Sequence, residues 1–71
     1  MKDLHPSIAH FKPLFAYAHL PEHLQRISKP FGELAEFMMQ NCEGPEASAG
    51  LRKLLEAKDC AVRAALKGSN D

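Results

Sequence analysis

The sequence predicts an all-α fold: an antiparallel αα-hairpin with an N-terminal aromatic arm, assembled into a homo-oligomer. Three observations lead there. Apolar residues recur at helical spacing along two long segments, and a short polar linker followed by proline joins those segments. With 71 residues, apolar burial and conformational entropy nearly cancel, so a private core needs outside support. The expected organisation is an arm over residues 1–20, the hairpin over 21–68 and a tail over 69–71.

The arm has no sustained period. It holds Pro6 and Pro13, the histidines His5, His10 and His19, and the aromatics Phe11, Phe15 and Tyr17. One short helical turn is expected near Ser7 to Phe11. Three of the chain's five aromatics in so short a stretch are too many to leave in water, so the arm packs across the hairpin or onto another subunit.

The middle segment, about 21–42, places Leu24, Ile27, Phe31, Leu34, Ala35, Met38 and Cys42 in one helical phase. Pro30 removes a hydrogen bond and crowds the preceding turn, which leaves one kinked helix or two helices with Ser28 capping the second. The unbroken phase favours the kinked helix. The linker Asn41 to Gly44 is short, and Pro45 suits a first helical position, so the next helix runs back beside this one.

The last segment, 45–67, carries the strongest pattern. At 100° per residue Ala47, Leu51, Leu54, Leu55, Ala61, Val62 and Ala65 share an arc, opposite Arg52, Lys53, Glu56, Arg63 and Lys67. Glu46 favours the positive helix end, Lys67 the negative end, and Gly68 is the expected stop.

Composition excludes several classes. Nine basic and nine acidic residues cancel, which argues against coating a nucleic acid polymer but leaves room for a compact anion held by a few local cations. No run approaches the ~18 apolar residues of a membrane span, and the start lacks an apolar signal core, so a cytoplasmic location without membrane contact is expected. Cys42 and Cys60 fit a reducing compartment, since the helical reading puts them on the order of 20 Å apart.

Lys58 is the oddity of the last helix, because it lies at the centre of the apolar stripe. Either its stem packs there while the ammonium reaches solvent or a carboxylate such as Glu33 or Glu36, or it faces a subunit interface or polar pocket. Arg26, Ser28 and Lys29, following Tyr17, combine phosphate donors with a flat ring suited to stacking on a base. The same residue types are common on solvated helices. A metal site is not expected: Pro21 leaves His19 outside the helix that holds His23, and no ligand spacing such as CxxC or HExxH occurs. Nor is an enzyme, since there is no phosphate loop or nucleophile elbow and little room for a water-excluding cleft.

Phe15-Ala16-Tyr17, then Leu20-Pro21-Glu22 opening a helix that reaches Glu33-Leu34-Ala35, then an acidic loop before Leu51-Arg52-Lys53-Leu54-Leu55-Glu56-Ala57-Lys58-Asp59, resembles the phage anti-CBASS cyclic-nucleotide sponge family over about residues 15–67. That resemblance implies a non-enzymatic protein, without cofactor, that sequesters the second messengers of bacterial immunity. It implies a homo-oligomer, hexameric in the family, holding cyclic dinucleotides between protomers and, in some members, cyclic trinucleotides at separate sites. By position Tyr17 would stack on a base. The family's phosphate-contacting lysine falls near Ser28, so Lys29 or Arg26 would supply the charge. A late basic residue tied to the trinucleotide site falls near Lys67, with Arg63 one turn earlier.

The expected ligand residues are therefore Tyr17, Arg26, Ser28, Lys29, Arg63 and Lys67. The expected subunit interface combines Phe11 and Phe15 of the arm with Leu51, Leu54, Lys58 and Val62 of the stripe. The rival expectation is a helical-hairpin interaction module, an adaptor or inhibitor with no small-molecule site.

Overall fold

The computed structural model describes residues 4–67, without the side chain of Lys67. The Gly68 stop, the tail 69–71 and the ligand role of the Lys67 side chain lie outside the described residues. The described chain is all-α: α1 (Pro6–Ala9), a 3-10 turn (Lys12–Phe15), α2 (Glu22–Asn41) and α3 (Pro45–Lys67). Among the described residues there is no strand.

The arm is more ordered than its sequence suggests. His5 stands in extended geometry before α1, and its Nδ1 accepts the Ser7 backbone N–H at 3.1 Å, the work of an N-cap. Pro6 and Pro13 occupy first-turn positions, where a missing N–H removes nothing. Ile8, Phe11 and Phe15 turn inward and, with Ala35, Met39, Ala47 and Leu51, form the core. Ser48 Oγ donates to the Ser7 carbonyl at 2.9 Å and binds α1 to α3. Gln25 Nε2 donates to the Leu20 carbonyl at 2.8 Å, tying the end of the arm to the first turn of α2.

Pro21 precedes α2 and its carbonyl accepts from Leu24 and Gln25. The helix is continuous through Pro30, so Ser28 lies inside it and caps nothing. Pro30 and Arg26 are both exposed, so the Arg26 carbonyl that loses its partner opens to water. The buried positions are Leu24, Ser28, Ala35 and Met39, a face rotated from the expected one. Leu34 and Cys42, expected inside, are exposed, because the arm as well as α3 packs on α2 and their combined contact pulls the buried face toward Met39.

Gly44, at φ 94°, makes the turn into α3, a conformation that side-chain-bearing residues resist. Between the two long helices Met38 lies against Gly50, and Leu54 shares a shallow pocket with Pro30, Phe31 and Leu34. A Cβ at Gly50 would stand 2.9 Å from Met38 Cε, so the missing side chain lets the helices close at this level.

Candidate functional site

Two clefts open on either side of the arm and share Ala16 in their walls. The first, about 290 Å³, lies between the arm and α2 and is bounded by Lys12, Phe15, Tyr17, Gly32, Glu33 and Glu36. Gly32 lets the arm approach α2 at its wall: a Cβ there would stand 3.0 Å from both the Phe15 carbonyl oxygen and Tyr17 Cδ2. The Tyr17 ring is thus seated on bare helix backbone, with part of its surface exposed. One lysine faces two glutamates across this cleft, so its field is acidic and its stacking surface suits an uncharged ring rather than a phosphate.

The second cleft, about 340 Å³, lies between the arm and α3, walled by Pro13, Leu14, His19, Leu20, Lys58, Asp59, Val62 and Arg63. The Lys58 stem crosses the stripe, with 13% of the side chain exposed, and its ammonium sits 5.9 Å from the Phe15 ring centre. Nζ donates to the Leu14 carbonyl at 2.8 Å and pairs with Asp59 Oδ1 at 3.2 Å. Arg63 donates to Cys60 Sγ at 3.5 Å and is otherwise exposed, leaving most of its fork facing out. Lys58 and Arg63 against Asp59 make this the more cationic of the two clefts.

Several sequence expectations are corrected here. Ser28 is fully buried and its hydroxyl has no partner, so it cannot reach a ligand. Arg26 and Lys29 are exposed but line neither cleft; Lys29 lies 4.0 Å from Glu33 in an exposed pair, a turn away on the same helix. The cation beside Tyr17 is Lys12 from the arm, whose proximity follows from how the arm folds back and carries no local signature. Lys58 meets a backbone carbonyl and Asp59 rather than Glu33 or Glu36. Phe11, Phe15 and Leu51 belong to the core and have no surface to offer a subunit interface, because the arm's rings fill the space over the two long helices. Leu54, Lys58 and Val62 are half-buried.

Cys42 and Cys60 are free and exposed. Among the described residues no three His, Cys, Asp or Glu side chains gather as a metal ion requires, and no helix is long and apolar enough to cross a membrane. Comparison with protein-family models, with curated proteins and with solved structures returns no match for this chain.

Proposed function

We propose that the chain is a non-enzymatic sponge that binds cyclic oligonucleotides in the bacterial cytoplasm and withholds them from an immune effector. It acts as a homo-oligomer of hairpins. The observation that carries the reading is the cleft where Lys58, Arg63 and His19 gather beside apolar Leu14, Leu20 and Val62. A cyclic oligonucleotide needs fixed cations for its phosphodiesters and apolar or flat surface for its bases; Arg63 supplies a planar fork and Lys58 a point charge. Tyr17, on the other side of Ala16, supplies the flat surface. The order of segments shared with the sponge family supports the same ligand class.

Native mass spectrometry of the protein, alone and with a panel of cyclic di- and trinucleotides, tests this. The expected result is retention of intact ligand, recoverable unchanged after denaturation, and its loss in Arg63→Ala and Tyr17→Ala at unaltered subunit count. No retention by the wild-type protein would end the proposal. It would favour the second reading, a protein-interaction module, to which the exposed Leu34 and Phe37 side chains point.

A further inference from the structure

One side of α2 carries a charge pattern that the helix uses only weakly, in the exposed Lys29–Glu33 pair and a Gln40 Nε2 hydrogen bond to Glu36. Arg26 and Lys29 stand before Pro30, and Glu33 and Glu36 after it, all exposed. Glu22 in the first turn suits the positive helix end, whereas these four charges lie too far inside the helix for either terminus to account for their order. Among the described residues no ion pair joins α2 to α3; the pairs formed are Lys29–Glu33 and Lys58–Asp59. Beside the charged strip runs an apolar one, with Leu34 48% and Phe37 60% exposed and Pro30 exposed between the two charged halves.

A helix with basic and acidic halves along one edge is complementary to itself when a copy lies antiparallel across it. We infer that α2 is a self-complementary docking face on which a second copy of this chain lies antiparallel, pairing Arg26 and Lys29 with Glu36 and Glu33 of that copy. A two-fold axis at the level of Phe31 and Gly32 accomplishes this. It sets Pro30 against Leu34 of the second copy and Ile27 against Phe37, while residue sums of 62 for the charge pairs and 64 for the apolar pairs differ by only ~3 Å along the helix, within reach of long side chains. Antiparallel helices also oppose their dipoles, which favours the same orientation.

The area sets the strength. A 20-residue helix is ~30 Å long, and two such faces bury on the order of 1,000 Å² in total, the lower end for a specific interface. Association through this face alone is therefore concentration-dependent. The charges fix register and orientation more than affinity, because they lie at a wet rim. The inference rests on the proposed self-association and is independent of which ligand binds.

Sedimentation equilibrium over a concentration series, with circular dichroism as the check on folding, tests it through two charge-reversed chains. Arg26→Glu/Lys29→Glu and Glu33→Lys/Glu36→Lys each place like charges opposite one another. Each alone is expected to weaken self-association by at least ~10-fold, and a one-to-one mixture is expected to restore it as a heterodimer. In each monomer the reversals replace the exposed Lys29–Glu33 attraction by a like-charge pair, so helicity and melting temperature fall only slightly. A general loss of folding cannot produce that combination. A wild-type monomer at every concentration would overturn both this face and the proposed oligomer. Reversed chains that assemble as the wild type does, or fail to combine on mixing, would overturn the face alone and leave the ligand reading standing.

Discussion

The arm and the C-terminal half of α3 reverse what their sequences lead one to expect. The arm has no period and two prolines, yet it supplies Ile8, Phe11 and Phe15 to the core, with Phe11 only 1% exposed. From Leu54 onward α3 repeats apolar residues at helical spacing, yet among the described residues none of them is fully buried. Periodicity reports which side of a helix is apolar; the depth of burial depends on what lies over it. The arm and α2 cover Ala47 and Leu51 completely, whereas farther along the helix cover comes from the end of the 3-10 turn, at Leu14 and Lys58.

The largest effect should follow from breaking that contrast at its deepest point. Phe11→Ala removes a ring held 4.1 Å from His10 and lying 5.8 Å below the Arg52 guanidinium, and leaves a cavity at the junction of arm and core. The expected cost is about 3–5 kcal/mol, a large part of the stability of so small a domain. Val62→Ala, in the stripe, should cost about 1 kcal/mol or less because its site is already half-open. Urea titration of the two variants compares them directly. Equal losses would mean that the arm is no more part of the core than the stripe is.

Ser28 sharpens the comparison from the other side. It sits wholly buried on the inner face of α2 with an unpaired hydroxyl, whereas the fully buried side chains around the core are apolar. Ser28→Ala removes an unsatisfied polar atom, and alanine is the better helix former, so the variant should gain about 1–2 kcal/mol. Thermal melting reads the sign. A loss would show that the hydroxyl has a partner, such as a bound water.

Much of the helical architecture was legible in the chain, since Pro45, the polar linker and the 3.6-residue spacing act within a few turns of one another. The inner face of α2 was not. Ser28 and Met39 lie inside, and Leu34 outside, because two different elements pack on that helix and only one of them carries a period. The clefts were legible only in part. Tyr17 and Arg63 could be singled out by residue type, but Lys12 beside Tyr17 and His19 beside Arg63 depend on how the arm returns over the helices. Gly32 gave a signal that could have been used: a glycine in mid-helix costs about 1 kcal/mol relative to alanine, which suggests that something must approach its backbone.

Lys58 joins the two regions, and its substitution carries the smallest expected effect. Its position in the apolar stripe suggested solvent or a carboxylate such as Glu33 or Glu36, or else an interface or polar pocket; the carboxylate it meets is Asp59, and the ammonium also reaches the Leu14 carbonyl, an acceptor that no side-chain pattern encodes. Lys58→Met keeps the stem's packing and removes the ammonium, so it separates the hydrogen bond at 2.8 Å and the Asp59 pair at 3.2 Å from the burial of the chain that delivers them. Water can reach the freed carbonyl, because Leu14 is exposed, and this holds the loss to about 1 kcal/mol. Local opening of the arm should then be favoured about fivefold, seen as faster amide exchange at Leu14 and Phe15 with little change in α2. Faster exchange throughout α2 and α3 would instead make Lys58 a support of the whole fold, and the arm would no longer be a separable unit laid over it.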